Sequence, residues 1–193
     1  LEGGIVHLEL FTYGDTTSAE LEAALKEVMA QNPKGLILDL RNNGGGFLNT
    51  AIEVVSQFIP SGVVMYEEYG DGTRRTFEAL GGGLATEVPL VVLVNGGTAS
   101  ASEITAGAIQ DFGRGKLVGV KTYGKGSVQN WIDLDNNGGG LRVTVARWLT
   151  PKERQIHGVG LEPDVVVELS EEDIAAGRDP QLDKAVEILR GNP

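Results

Sequence analysis

The sequence predicts an α/β fold with a mostly parallel sheet. Two short apolar runs, Lys34–Leu40 and Pro89–Val94, are typical of strands buried on both faces. An amphipathic helical pattern, Thr16–Gln31, precedes the first run, and small and apolar residues at helical spacing, Ile104–Gly113, follow the second. Strands and helices that alternate in this way form right-handed crossovers in a parallel sheet. A chain of 193 residues fits one domain with a substantial core.

The first strand is predicted at Gly4–Phe11, where apolar and polar residues alternate as in a half-buried strand. His7 lies in it, and we interpret this lone histidine as an ordinary strand residue. A second helix is predicted at Phe47–Ile59. Two strand-like runs in Gly62–Ala79, around a Gly-Asp-Gly turn, then predict a hairpin excursion, which either covers a cleft or lies on the surface.

The second half of the chain continues with a short strand, Lys116–Val120. A further hairpin is predicted from Val128–Leu134 and Leu141–Trp148, which are joined by the turn residues Asn136–Gly140.

Composition excludes several classes of function. The 16 Lys and Arg residues against 27 Asp and Glu residues give a net charge of -11, which repels nucleic acid and anionic membranes. The absence of cysteine excludes disulfides, thiolate catalysis and cysteine-based metal sites, and two histidines exclude a histidine-rich metal site. We find neither a transmembrane segment nor a signal peptide, and we expect no cofactor.

The stretch Asn95–Ile104 predicts a strand, a glycine turn and a helix start. This geometry lifts Ser100 off the end of a buried strand to a helix N-terminus, where free N–H groups favour negative charge. Ser100 is therefore a candidate nucleophile. The alternative is that Ser100 and Glu103, at S-x-x-E spacing, only form a capping box.

Two further segments carry candidate chemistry. Asp39–Gly46 ends a predicted strand in three glycines, which form either a second anion-binding loop or a flexible connection. In Lys121–Asn130, a strand that begins near Lys125 places Lys125, Ser127 and Gln129 on one face.

Lys125 is either a solvated turn residue or a general base. A base needs a neutral amine, which burial beside Tyr123 and Trp131 would favour, and Gln129 could orient that amine without charging it.

Taken together, these segments resemble the carboxyl-terminal processing peptidases, or tail-specific proteases, a Ser/Lys serine-protease family. The similar segments are NGGTASASEI (Asn95–Ile104), GKGSVQ (Gly124–Gln129), DLRNNGGG (Asp39–Gly46), RQIHGVGLEPDVVV (Arg154–Val167) and DPQLDKAVEIL (Asp179–Leu189). The resemblance implies a ClpP/crotonase-like core of β-β-α units with a mostly parallel sheet.

The resemblance also implies the roles of the site residues. Ser100 would be the nucleophile, Lys125 the general base and Gln129 the residue that positions the lysine. The backbone N–H groups of Ala101 and Gly45 would bind the oxyanion, and no metal would be needed. Gly44 stands where the family usually has proline, so the glycine loop is less preorganised.

Family members usually carry a PDZ domain before the strand at Gly4, so we expect residues 1–193 to be a single peptidase core domain without it. The resemblance implies a polypeptide substrate and a periplasmic or otherwise exported location, and it leaves homo-oligomerisation possible. The main alternative is a non-catalytic ligand- or peptide-binding module on the same fold. A further alternative is a Ser/His triad that uses His157.

Overall fold

The protein is described by a computed structural model that covers residues 1–134 and 138–191. In chain order the elements are β1 (Ile5–Glu9), α1 (Thr17–Met29), β2 (Gly35–Asp39), α2 (Leu48–Ser56), β3 (Val63–Tyr69), β4 (Arg74–Glu78), β5 (Leu90–Val94), α3 (Ala101–Asp111), β6 (Lys116–Gly119), β7 (Ser127–Asp133), β8 (Gly140–Leu149), β9 (Val165–Val166), α4 (Glu171–Ala175) and α5 (Pro180–Leu189).

A five-stranded parallel sheet, in the order β1-β2-β5-β6-β9, forms the centre of the fold. Every residue of β2 and β5 is buried, as their continuous apolar sequences predict. Alternate side chains point to opposite faces of the sheet. On β2, Leu36 and Leu38 face the core that includes α1, α2 and α3, whereas Ile37 packs in the cluster that includes α5. The predicted α/β class with a mostly parallel sheet is confirmed.

A second, antiparallel sheet has the order β4-β3-β8-β7. The predicted hairpin excursion is confirmed as β3 and β4, and β3 also pairs with β8, so the excursion is continuous with the later hairpin. The strands that flank the predicted turn at Asn136–Gly140 pair as expected, whereas residues 135–137 of that region lie outside the described part of the chain. Trp148 of β8 belongs to the same hydrophobic core as residues of the parallel sheet, so the two sheets share that core.

The parallel sheet determines where the candidate residues lie. The glycine loop (Arg41–Gly46) follows β2, the serine turn (Asn95–Ser100) follows β5 and the lysine segment (Lys121–Gly126) follows β6. These three strands are adjacent and parallel, so their carboxyl ends lie at the same edge of the sheet, where α/β proteins bind ligands. No helix in the described part of the chain is long and apolar enough to cross a membrane.

Candidate active site

Ser100 is the N-cap residue of α3 and has an unusual backbone conformation. Its φ of 57° and ψ of -118° lie in a region that residues with a side chain rarely adopt. Such strain persists only where surrounding contacts hold the backbone in place. The Ser100 N–H donates to Glu103 Oε2 at 2.9 Å, which supplies one of these contacts. The turn therefore holds Ser100 between the end of β5 and the start of α3, as the sequence predicts.

Glu103 is fully buried and connects the serine turn with the lysine segment. Its Oε2 accepts the backbone N–H of Ser100 and that of Lys125, the latter at 2.8 Å. Its Oε1 accepts the Gly124 N–H at 2.7 Å and the Thr122 hydroxyl at 2.6 Å. A buried carboxylate needs such donors because it has lost its hydration. The glutamate of the predicted capping box thus also fixes the loop that carries Lys125.

The backbone of Lys125 is held at both of its polar groups. Its N–H donates to Glu103, and its carbonyl oxygen accepts the indole Nε1–H of Trp148 at 3.0 Å. The half-buried side chain lines the cavity described below. Across residues 1–134 and 138–191, no hydrogen bond or ion pair of its Nζ is recorded.

The predicted surroundings of Lys125 are only partly observed. Tyr123 is 68% exposed and, in contrast to Lys125, is not among the residues that line the cavity. The side chain of Trp131 lies outside the described part of the structure. The tryptophan that contacts the Lys125 backbone is instead Trp148, which β8 contributes from far along the chain.

Gln129 lies on β7, with its side chain at the same cavity as Lys125 and Ser127. The three residues therefore share a surface, as predicted, although Lys125 precedes the strand and an irregularity lies between Val128 and Gln129. Within the described ranges, the side-chain amide of Gln129 makes no recorded hydrogen bond, so it is available to a neighbouring amine or a ligand.

The glycine loop packs directly against the serine turn. A Cβ atom on Gly45 would lie 2.7 Å from the Ala99 oxygen and 2.8 Å from the Ala101 nitrogen, so only glycine fits. Gly45 also has a φ of 95°, which other residues rarely adopt. The loop thus packs directly against the N-terminus of α3, and it is more than a flexible connection.

The two predicted oxyanion donors differ in their present hydrogen bonds. The Ala101 N–H is at the first position of α3 and has no recorded acceptor among the described residues. The Gly45 N–H, in contrast, donates to Asn43 Oδ1 at 2.9 Å. It is therefore engaged within its own loop, which the sequence did not indicate. The next residue, Gly46, lines the cavity, and no acceptor of its N–H is recorded in the described ranges.

Further hydrogen bonds connect the glycine loop with the serine turn. The Asn43 carbonyl accepts both the Ala99 N–H at 3.0 Å and the Ser102 hydroxyl at 2.9 Å. The Asn42 N–H donates to the side chain of Asn95 at 2.9 Å. Ser102 thus helps to hold the start of α3 by binding the neighbouring loop.

An ion-pair network anchors the start of the glycine loop. Arg41 binds both carboxylate oxygens of Asp39 and reaches Asp179 at the start of α5 at 2.9 Å. His7 Nε2 lies 3.0 Å from Asp39 Oδ2, so the histidine has a partner that the sequence did not reveal. Burial raises the pKa of Asp39, but the hydrogen bonds from His7 and Arg41 outweigh it and lower this pKa below its ordinary value.

The same network contains the one group of side chains, among the described residues, whose spacing suits a metal ion. One ligand atom from each of His7, Glu9 and Asp39 lies within 4.8 Å of the others. However, both oxygens of Asp39 already bind the Arg41 guanidinium, whose positive charge opposes a cation. The arrangement is therefore better described as an ion-pair network than as a metal centre.

A cavity of about 250 Å³ brings the candidate residues together. It is lined by Gly46, Phe47, Leu48, Met65, Ser100, Ala101, Ile104, Lys125, Ser127, Val128, Gln129, Arg142 and Trp148. Apolar side chains form much of its wall and a few polar groups complete it, as in many ligand sites. Arg142, Met65 and Trp148 were not predicted, because the pairing of distant strands brings them here.

His157, the candidate of the alternative triad, does not line this cavity. Its backbone packs against Gly126, where a Cβ would lie 2.7 Å from the His157 nitrogen. Its side chain is exposed. The position of His157 thus supports a structural role for the turn that contains it.

Comparison with known proteins gives consistent matches. The family model for peptidase family S41 matches residues 2–167. The carboxyl-terminal-processing protease of Synechocystis sp. is 43% identical over 188 residues, which cover 96% of this chain and 44% of that protein. The carboxy-terminal-processing protease of Bartonella bacilliformis is 43% identical over 175 residues, which cover 87% of this chain and 40% of that protein.

Comparison with solved structures also finds proteases. The photosystem II D1 C-terminal processing protease superposes with a TM-score of 0.80 at 38% identity, and the match covers 87% of this chain and 44% of that one. The tricorn protease superposes with a TM-score of 0.68 at 22% identity, and the match covers 97% of this chain and 18% of that one. At this identity the match supports a shared fold and nothing more. The chain thus spans less than half the length of these relatives.

Proposed function

The chain belongs to peptidase family S41, and on this premise we propose that it is a serine endopeptidase that cleaves polypeptides near their C-termini. We assign the nucleophile to Ser100, the general base to Lys125 and the orientation of the lysine to Gln129. The observation that carries this proposal is that the three side chains line one cavity at the edge of the parallel sheet.

In the proposed reaction, neutral Lys125 takes the proton from Ser100 Oγ as this oxygen attacks a peptide carbonyl carbon. The lysine then passes the proton to the leaving amine, and an acyl-enzyme remains on Ser100. A water molecule, deprotonated in turn by Lys125, hydrolyses the ester. No metal takes part in this sequence of steps.

The Ala101 N–H is the first proposed oxyanion donor, because it has no recorded partner among the described residues and lies next to the nucleophile. The glycine loop provides the second. The Gly45 N–H can serve once Asn43 Oδ1 releases it, whereas the Gly46 N–H needs no such release. Loss of one such donor typically raises the barrier by about 3 kcal/mol.

We further propose that residues 1–193 form one peptidase core domain that acts on polypeptides without a cofactor. A periplasmic or otherwise exported location is proposed from the family. Named relatives include the chloroplastic C-terminal processing peptidase of Tetradesmus obliquus, which is 41% identical over 159 residues.

The assignment is tested by turnover of an unstructured peptide. We expect Ser100→Ala and Lys125→Ala each to abolish cleavage. Ser127→Ala is a matched control for the serine, because Ser127 lines the same cavity but has no assigned role. Lys121→Ala is the control for the lysine, because Lys121 is exposed and pairs with Glu162. Undiminished turnover by the purified Ser100 or Lys125 variant would overturn the assignment.

Covalent labelling separates a hydrolase from a non-catalytic binding module. A serine-reactive phosphonate should modify Ser100 in the unchanged protein and should fail to modify the Lys125→Ala variant at a comparable rate. A protein that binds peptides at this cavity but shows no labelling of Ser100 would be a binding module instead.

A further inference from the structure

Arg142 contributes a positive charge to the cavity. It lies on β8, opposite Trp131 in the strand register, and it lines the cavity together with Ser100, Lys125 and Gln129. Its side chain is exposed. Within residues 1–134 and 138–191, no carboxylate forms a recorded ion pair with it. Nothing in the proposed proton transfers uses this guanidinium.

The sign of this charge contrasts with that of the whole chain. The net charge is -11, yet the cavity wall, as far as the described residues form it, carries two basic residues, Lys125 and Arg142, and no acidic one. At an ionic strength of about 0.15 M, charges more than roughly 8 Å away are largely screened. The charges nearest to a group bound in the cavity are therefore these basic side chains and the buried carboxylate of Glu103, whose oxygens are already occupied by hydrogen bonds from the serine turn and the lysine segment.

Of the two cations, only Arg142 keeps its charge throughout the proposed reaction. Lys125 must be neutral when it acts as the base, whereas the arginine guanidinium stays protonated. Its planar fork also matches the two oxygens of a carboxylate, which allows a bidentate contact that a lysine cannot make.

We propose that Arg142 is a specificity-determining residue that binds a carboxylate of the polypeptide substrate close to the scissile bond. This inference rests on the proposed function, because it takes the substrate to be a polypeptide cleaved at Ser100. The binding of the carboxylate can be measured without cleavage. The carboxylate belongs either to an Asp or Glu side chain or to the C-terminus of the substrate. Because Arg142 and Ser100 line the same cavity, this group lies next to the cleaved bond or a few residues from it.

The test measures peptide affinity by fluorescence anisotropy in the Ser100→Ala background, where nothing is cleaved. Three labelled peptides share one sequence. The first has a central Glu and an amidated C-terminus, the second has Gln in its place and is amidated, and the third has Gln and a free C-terminus. We expect the first or third peptide to bind about fivefold more tightly than the second, as for a partly exposed charged pair. The tighter of the two identifies the source of the carboxylate.

The added substitution Arg142→Gln should remove this preference, so that the charged and neutral peptides bind with equal affinity. Arg147→Gln is the matched control, since Arg147 is also an exposed arginine on β8 but does not line the cavity. It should retain the full preference. Added Lys125→Ala tests the second cation and should leave most of the preference in place.

Two results would overturn the proposal. One is equal affinity for all three peptides, including no binding by any of them. The other is a preference that survives Arg142→Gln, and its loss with Lys125→Ala would then assign it to the lysine. Since each measurement uses a protein without its nucleophile, failure of the proposed Ser/Lys chemistry leaves these outcomes unaffected, and the two proposals fail separately.

Discussion

The carboxylate of Glu103 holds the backbone of Lys125, whose N–H donates to Glu103 Oε2 at 2.8 Å. The same oxygen accepts the N–H of Ser100 at 2.9 Å. One buried atom therefore fixes the proposed nucleophile and the proposed base relative to each other, although they follow different strands of the sheet. Both residues depend on an anion that makes no contact with the substrate in the proposed reaction.

Replacement of this anion should damage catalysis and stability together. Glu103→Gln removes the charge and turns an amide NH₂ toward groups that are themselves donors. We expect the free energy of unfolding to fall by at least about 2 kcal/mol, because buried donors lose their acceptor. We also expect kcat to fall more than KM rises, because the reacting groups lose their alignment. Urea unfolding and peptide kinetics measure the two effects.

Glu168→Gln is the control for this substitution, since Glu168 is exposed and has no recorded partner in the described part of the chain. It should change the free energy of unfolding by less than about 0.5 kcal/mol. Wild-type kcat in a folded Glu103→Gln protein would show that Glu103 does not position Ser100 and Lys125.

Gly45 should tolerate no side chain, whereas its neighbour Gly44 should. A Cβ at Gly45 would lie within 2.8 Å of the Ala101 nitrogen and Ser100 Cβ, whereas a Cβ at Gly44 meets nothing within 4 Å. We expect Gly45→Ala to destabilise the protein by about 2–4 kcal/mol through overpacking and backbone strain. Its kcat should fall on the order of 100-fold, because the glycine loop must shift away from the serine turn.

Gly44→Ala is the matched control for Gly45→Ala. It should keep both kcat and the free energy of unfolding near the values of the unchanged protein. Equal effects of the two alanines would mean that the close approach of the glycine loop to α3 does not matter for catalysis.

The network around Asp39 predicts a dependence of stability on acidic pH. The pKa of Asp39 is lower in the folded protein than in the unfolded chain, where an aspartate titrates near about 3.9. Its ionised form therefore stabilises the fold above that pH. This contribution is lost as the pH falls from about 4 through the lower, folded-state pKa.

Asp39→Asn, which has no such carboxyl, measures this contribution. The difference in unfolding free energy between the unchanged protein and Asp39→Asn should be largest above about pH 5 and should shrink on acidification below pH 4. Asp15→Asn, at an exposed position, controls for the loss of a carboxylate and should change stability little. A difference that stays constant between pH 6 and pH 2 would contradict the role given to Asp39.

The sequence predicted the parts of the fold and site that depend on local patterns. The apolar runs at β2 and β5 and the amphipathic pattern of α1 specify their own conformations. Ser100 and the glycine loop follow such strands directly, so their position at the edge of the sheet could be inferred. The two-residue strand β9 and the five-residue helix α4 are too short to give a pattern.

Features that depend on distant segments could not be inferred from local patterns. The S-x-x-E spacing predicted that Glu103 binds Ser100, but nothing in it indicated that Thr122, Gly124 and Lys125 bind the same carboxylate. Likewise, the pairing of β8 with β3 and β7 brings Arg142 and Trp148 to the cavity. Such convergence is a property of the tertiary fold and leaves no periodic signal in the sequence.

The backbone strain at Ser100 gives a prediction that separates chemistry from stability. Ser100→Ala and Ser100→Gly both remove the hydroxyl, so neither should cleave peptides. Alanine keeps the unfavourable φ of 57°, whereas glycine adopts it without steric cost. Glycine loses more conformational entropy on folding than alanine, which offsets part of the relieved strain. We therefore expect Ser100→Gly to be more stable than Ser100→Ala by about 1 kcal/mol in urea unfolding. Ser127 in β7, which has no positive φ, is the control, and there glycine should be the less stable by about 0.5–1 kcal/mol. If alanine were more stable than glycine at both positions, the serine turn would store no strain.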